Sequence, residues 1–353
     1  HYEREFGLST FGSGILAGCY SGGMVFGILI AGLWLSDRFG VRRTAVAGCT
    51  MLALASVGFG AASSLPALEL ARLLQGIGAG LVWCSLLNWL ILMVPAASRG
   101  TALGAAMGAG VFGMAVGPLL GIATQAVGTF AVFAAVAVAF GLYGLVLVRE
   151  EAPPSAGPGR RQAARLRLPR DPQLRRAIAL VTVPPLVAGA VITIVPLHLA
   201  DLGATEIGID AALLLGALLS AVCCIYAGSL ADARGHLWPV RFGAVATAAT
   251  LLTMTASDSV LVIALGFVLF ESIGLGFFWI PLMSLFTERG ESLGMDPATV
   301  ALLLNLAITG AYALGPPLLT AVQESAGVSV TFLAMVGLTL LALGSLSVMR
   351  QPG

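Results

Sequence analysis

Apolar positions in this chain come in long unbroken blocks, separated by charged residues or Pro/Gly breaks. Eleven blocks lie near residues 11–35, 44–63, 66–94, 101–124, 127–148, 177–199, 207–230, 239–257, 259–286, 298–322 and 327–349. A helix needs about 20 mainly apolar residues to cross the hydrocarbon core of a bilayer. It also satisfies its own backbone hydrogen bonds there, which an open strand in lipid cannot do. Each block therefore predicts a membrane-spanning helix. None shows the polar/apolar alternation that marks a strand of a membrane barrel. The predicted class is an all-α polytopic membrane protein.

Composition narrows the class further. Of 353 residues, 58% are apolar before 45 glycines are added, and only 10% are charged. An ordinary soluble domain carries about 25% charged residues. So few charges leave an outer face that only lipid can solvate, which excludes a soluble enzyme, a nucleic-acid-binding protein and a disordered chain. All 18 basic side chains are arginine. With the loop after the first block in the cytoplasm, 16 of them lie on that side or at its edge, leaving Arg4 outside and Arg72 within a block. The positive-inside rule then places the chain's start outside and its C-terminus in the cytoplasm of a cell (inner) membrane. Lysine-free, alanine- and arginine-rich composition fits a GC-rich bacterial source.

The stretch from Arg149 to Arg176 holds eight arginines and five prolines. It reads as a cytoplasmic linker whose charge suits retention and lipid headgroups. The expected organisation is an N-terminal bundle of five spans at 1–148, the linker at 149–176, and a C-terminal bundle of six spans at 177–353. The five cysteines all fall within spans at no metal-ligand spacing. They read as small buried apolar residues, with no metal or cofactor expected.

The two bundles share an internal repeat. Ile77-Gly78-Ala79-Gly80-Leu81-Val82-Trp83 recurs as Ile273-Gly274-Leu275-Gly276-Phe277-Phe278-Trp279, an offset of 196. Leu35-Ser36-Asp37 recurs as Leu230-Ala231-Asp232 at 195, and Ala115-Val116-Gly117-Pro118 as Ala313-Leu314-Gly315-Pro316 at 198. Matching spans run in the same direction, so the repeat is parallel. The block at 177–199 has no counterpart in the first half. The expectation is an N-terminally truncated six-plus-six protein, with 11 of 12 spans present.

Three motifs carry chemistry. The first is Leu35-Ser36-Asp37-Arg38-Phe39-Gly40-Val41-Arg42-Arg43, with a second copy at Gly228-Ser229-Leu230-Ala231-Asp232-Ala233-Arg234-Gly235-His236. An aspartate at a helix end can cap a neighbouring helix or pair with arginine, which makes a cytoplasmic latch. Glycine turns the chain tightly, and the arginines hold the loop inside. These residues resemble the loop signature G-x-L-[AS]-D-R-x-G-x-[RK]-[RK] of the major facilitator superfamily of secondary transporters. Leu33 replaces the leading glycine in the first copy, and Ala233 the arginine in the second. The resemblance implies two pseudo-symmetric helical bundles and assigns Asp37, Arg38, Gly40, Arg42, Arg43, Asp232, Arg234 and Gly235 to cytoplasmic gating.

The second motif, Arg72-Leu73-Leu74-Gln75-Gly76-Ile77-Gly78, is similar to the family element R-x-x-Q-G-x-G. In proton-coupled members this arginine is associated with proton transfer. Arg72 can equally snorkel to the surface, with Glu69 as a helix-surface partner. The third combines Gly104, Gly113, Gly117-Pro118 and Gly121. It resembles the signature of the family's antiporters, with Ile122 in place of the final glycine. Its glycines share one helix face, which also suits close packing of a neighbour, and Pro118 bends the helix.

Glu271 lies about twelve residues into its block, roughly 18 Å deep at 1.5 Å per residue. An ionisable group near the midplane is costly unless it faces the protein interior. Such a carboxyl can take a proton on one side and release it on the other, hold a cationic substrate, or remain a neutral structural acid. The repeat maps Glu271 onto Gln75, so the two halves would offer a carboxyl and an amide to one central cavity. Trp83, Trp279 and Asn88 are cavity candidates because the corresponding spans line the family's pathway.

The leading expectation is a proton-coupled efflux antiporter of small amphipathic or lipophilic compounds, working by alternating access and resembling drug–proton exporters. Glu271 and Arg72 would couple protons. The expected partners are the bilayer, a small-molecule substrate and protons, with no nucleic acid and a monomeric state. The alternatives are a proton-coupled uptake symporter of a metabolite and, behind it, a transport-inactive sensor or scaffold. A membrane enzyme ranks last, since the spans hold no paired buried acids or Ser/His constellation.

Overall fold

Ten helices among the described residues are long and apolar enough to cross a membrane. The computed structural model describes residues 9–93, 109–110, 113, 116–117, 119–151, 171–295 and 297–346. In chain order the helices are α1 (Thr10–Ile30), α2 (Val41–Gly60), α3 (Leu65–Met93), α4 (Thr129–Arg149) and α5 (Pro172–Asp201). They continue with α6 (Glu206–Arg234), α7 (Leu237–Thr255), α8 (Val260–Leu269), α9 (Leu275–Ser292), α10 (Pro297–Ala326) and α11 (Val328–Leu346). α8 and α9 together make one span. The predicted span at 101–124 lies mostly outside the described residues, although Gly113, Gly117 and residues 119–127 are helical. Every described element is helical, as the apolar blocks require.

Helices run past their apolar blocks where polar chemistry allows. α5 starts five residues before its block because the Asp171 carboxylate accepts from the Leu174 N–H at 2.7 Å. Pro172 occupies the first turn, where a missing N–H costs nothing. α6 runs on to Arg234 and stops at Gly235. Hydropathy marks the hydrocarbon boundary, whereas caps and glycines mark the helix end.

The repeat is visible in backbone geometry and in packing. Gly40 and Gly235, 195 positions apart, have φ of 83° and 82°. In each latch loop this glycine's N–H bonds back four residues, Gly40 to Ser36 O at 3.1 Å and Gly235 to Ala231 O at 2.8 Å. Residues other than glycine rarely adopt this conformation. Gly48 and Gly243 are also 195 apart. A Cβ on Gly48 would meet Leu81 and Val82, and one on Gly243 would meet Phe277 and Phe278. The same crossing of helices is therefore built twice.

Among the described residues, two π-helical turns interrupt this regularity. In Ala31–Leu35 the Ser36 N–H donates to Ala31 O, and in Phe270–Gly274 the Leu275 N–H donates to Phe270 O. The repeat-equivalent stretches, 226–230 and 74–78, are ordinary α-helix within α6 and α3. The π turns mark places where the halves differ.

The chain divides into two compact units, one comprising His1–Phe6, Leu16–Gly113 and Leu120–Leu166, the other Gly7–Ile15, Met114–Leu119 and Arg167–Gly353. In the first unit, Ala45, Cys49 and Leu147 form one buried cluster and Phe59, Leu68 and Ala71 another. The second unit has larger cores, one around Val191, Ile194, Phe267, Phe270 and Phe332 and one around Leu174, Val240, Phe278 and Phe286. Large apolar side chains also face outward: Leu54, Val222, Ile225, Leu261 and Leu341 are 65–77% exposed. Such residues within apolar spans suit a lipid environment.

Candidate functional site

Glu271 is 6% exposed and sits on the π turn between α8 and α9. A π turn widens the helix by one residue and is frequent at functional positions. Here the Ser272 hydroxyl donates to Val268 O at 2.6 Å, using a carbonyl on the preceding turn. The Glu271 side chain packs beside α6, where a Cβ on Gly216 would lie 3.4 Å from Glu271 Cβ. Its Oε2 is buried and has no hydrogen-bond partner. The carboxyl thus faces the protein interior, with an acceptor that the protein leaves unused.

Trp279, eight residues on, belongs to the same unit, and its Nε1 is likewise buried without a partner. Its ring lies 5.6 Å from that of Tyr312 on α10, and the Tyr312 hydroxyl is a third buried, unpartnered atom. Glu271 and Tyr312 are within electrostatic range of each other and of Cys224. Tyr312 carries no signal in the sequence. It precedes the repeated Ala313-Leu314-Gly315-Pro316, yet its repeat partner, Met114, is apolar.

In the first unit, Arg72 and Gln75 form a polar chain on α3. Arg72 Nη1 donates to Gln75 Oε1 at 3.1 Å, and Gln75 Nε2 donates to Ser56 Oγ at 3.3 Å. The guanidinium lies 4.6 Å from the Phe59 ring centroid and 5.7 Å from that of Tyr20. Cation–π contacts and a part-buried hydrogen bond thus turn this arginine along the helix towards Gln75. Gly76, next in the motif, lets α1 approach, since a Cβ there would collide with the Tyr20 carbonyl. Further along α3, Trp83 is half-buried against Gly110, 3.5 Å from where its Cβ would be. Asn88 Nδ2 donates to Cys84 Sγ at 3.7 Å.

At the latch loops, the backbones of Asp37 and Asp232 are helical and their side chains lie outside the described residues. Arg38 stacks 5.7 Å from both the Trp34 and Phe39 rings. Arg42 Nη1 donates to the Glu150 carbonyl at 2.9 Å, beyond the end of α4, while Arg43 and Arg234 are exposed. In the second copy, His236 Nε2 lies 3.4 Å from Glu288 Oε1, and Arg289 lies 3.5 Å from Asp171. Sequence reading missed both pairs, because ion pairing between distant helix ends leaves no local spacing signal. In the glycine–proline segment, Gly104 and Pro118 lie outside the described residues and Gly121 is helical and half-buried. No described atom lies within 4 Å of a Cβ built on Gly113 or Gly117.

Repeated glycine turns, a repeated helix crossing and a buried acid are joined by a direct match. A family model described as Major Facilitator Superfamily matches residues 1–295. The chain belongs to the major facilitator superfamily. This superfamily member is 39% identical over 94 residues to an uncharacterised MFS-type transporter of Mycobacterium tuberculosis, covering 27% of this chain and 16% of that one. It is 32% identical over 150 residues to an MFS-type transporter of Metarhizium majus, covering 41% of this chain and 32% of that one. The matches thus span less than two thirds of either relative's length. A solved bacterial homologue of the human lysosomal transporter Spinster, in an inward-facing and occupied conformation, shares the fold. The TM-score is 0.75 at 16% identity, over 99% of this chain and 90% of that one.

Proposed function

We propose that this chain is a proton-coupled antiporter of the cell inner membrane that exports a small amphipathic or lipophilic compound by alternating access. The observation that carries the reading is Glu271: a buried carboxyl on a π turn inside an apolar span, with one oxygen unused by the protein. Membership of a superfamily of transporters, and relatives that are themselves MFS-type transporters, supports transport rather than catalysis. In the cycle, Glu271 accepts a proton from outside, releases it inside, and is free for substrate when ionised. Arg72 tunes the proton path in the first unit, with Gln75, Trp83 and Asn88 lining the route. Asp37 and Asp232, with Arg38, Arg42, Arg43 and Arg234 on the glycine turns of Gly40 and Gly235, stabilise the state closed to the cytoplasm. The segment of Gly104, Gly113, Gly117, Pro118 and Gly121 supplies the antiporter's bending helix. The protein works as a monomer.

The test uses the full chain in proteoliposomes enclosing a pH-sensitive dye, with propranolol and tetraphenylphosphonium as probe substrates. Under an imposed pH gradient, substrate addition drives proton movement opposite to the substrate. Glu271→Gln abolishes that movement while thermal unfolding and elution volume stay unchanged. Undiminished proton-coupled flux in the variant removes Glu271 from the mechanism. Protons moving with the substrate replace antiport by uptake symport.

A further inference from the structure

Among the described residues of the second unit, seven side-chain polar atoms are buried and unpartnered, and three of them come from separate elements and from groups linked to one another: Glu271 Oε2 on the π turn, Trp279 Nε1 on α9 and the Tyr312 hydroxyl on α10. Tyr312 is the group that links the other two. The Trp279 and Tyr312 rings are 5.6 Å apart and tilted by 50°, and the Tyr312 hydroxyl and Glu271 carboxyl are in electrostatic range. Tyr312 is also held in place. A Cβ on Gly189 of α5 would come within 2.9 Å of Tyr312 Cδ1, so the glycine lets the ring lie against that helix. Buried polar atoms normally find partners, and each exception calls for an explanation.

The donor and acceptor inventory says what an occupant must supply. An indole N–H only donates, an ionised carboxylate only accepts, and a phenol does either. An occupant therefore needs an acceptor for Trp279 and a donor for Glu271. The carboxylate favours a positive charge beside it, and two tilted aromatic rings favour a cation and a flat apolar body. We infer that Glu271, Trp279 and Tyr312 form a subsite for a protonated aromatic amine that also carries a hydroxyl or ether oxygen. The ammonium N–H bonds to Glu271, and the oxygen accepts from Trp279 while Tyr312 bridges the two. A quaternary cation meets the charge but neither hydrogen bond, so the subsite discriminates against it. This substrate class rests on the transporter reading of the same site.

Calorimetric binding to the full chain in nanodiscs tests the inference without any gradient. Propranolol, an aryloxy secondary amine with a hydroxyl, binds about ten-fold more tightly than tetraphenylphosphonium, the equivalent of one to two hydrogen bonds. Tyr312→Phe and Trp279→Phe each weaken propranolol by about three- to ten-fold and leave tetraphenylphosphonium within about two-fold. Equal affinity for the two probes, no binding of propranolol, or variants that weaken both probes alike would overturn the subsite. A selective loss confined to propranolol excludes a general packing defect, because both probes need the same folded bundle. The outcomes also separate this inference from the antiporter reading. Selective binding with no proton flux for any probe keeps the subsite and overturns antiport. Glu271-dependent proton flux with no selectivity does the reverse.

Discussion

Gln75 and Glu271 occupy the same repeat position, 196 residues apart, yet their side chains meet opposite circumstances. Both ends of the Gln75 amide are bonded, its oxygen to Arg72 and its nitrogen to Ser56. Glu271 leaves Oε2 unbonded in an equally buried position. The amide is bonded within its own unit, and the acid keeps one oxygen unbonded. Gln75→Leu should therefore act on stability, since it strips Arg72 of an acceptor and Ser56 of a donor at once. The expected cost is about 1–3 kcal/mol, read as a lower thermal midpoint of the detergent-solubilised chain. An unchanged midpoint means the chain from Arg72 to Ser56 contributes nothing to folding. The sequence made Gln75 and Arg72 conspicuous through their motif. Ser56 was hidden, because a serine in an apolar block looks like any other small residue. Tyr312 was hidden because its repeat partner is a methionine.

Helices and their spacing were largely legible, since a membrane span must be long and apolar whatever its neighbours do. The π turns were not. Ala31-Gly32-Leu33-Trp34-Leu35 and Phe270-Glu271-Ser272-Ile273-Gly274 contain no proline, and a shift of hydrogen bonds by one residue needs no special side chain. Close crossings were half legible. The repeat exposed Gly48 and Gly243 only after packing showed that both meet the same facing positions. Gly48→Val and Gly243→Val should each destabilise the chain by about 1–3 kcal/mol through overpacking. The larger effect is expected at Gly243, where the added carbon first meets backbone, of Phe277 and Phe278, and more closely than the carbon at Gly48 meets the Gly78 carbonyl and the Val82 and Leu81 side chains. Gly117→Ala provides the contrast, because no described atom lies within 4 Å of the new Cβ. Replacing this helical glycine should leave stability unchanged or raise it by about 0.5–1 kcal/mol. If the segment works as the antiporter's bending helix, proton-coupled flux falls all the same. Stability and flux measured on the same preparation separate packing from mechanism, and unaltered flux would reduce the glycine–proline pattern to composition.

We propose, by the positive-inside rule, that arginine placement orients the chain in its membrane. With each predicted span crossing in turn, the proposed topology puts the end of α1, the start of α2, the end of α4, the start of α5, the end of α6, the start of α7 and the end of α9 on the cytoplasmic side. Those ends carry Arg38, Arg42, Arg43, Arg149, Arg175, Arg176, Arg234, Arg241 and Arg289, while Arg72 lies near the other side. Two described side-chain contacts, His236 with Glu288 and Arg289 with Asp171, tie helix ends of the second unit together. An inverted topology would have to carry nearly all of these guanidinium groups across the bilayer, against the strong bias for retaining them in the cytoplasm. The span formed by α8 and α9 gives a direct check, because Ser259 precedes it, Ser292 ends it, and both are exposed. With the five native cysteines replaced by alanine, Ser259→Cys should react with a membrane-impermeant maleimide on intact cells. Ser292→Cys should react only after permeabilisation. The opposite pattern would place both loop motifs outside and overturn the proposed role of Asp37 and Asp232 in closing the cytoplasmic side. Labelling of both sites on intact cells would mean that Val260–Ser292 does not cross the membrane, which would overturn the proposed midplane position of Glu271 and its proposed role in proton exchange.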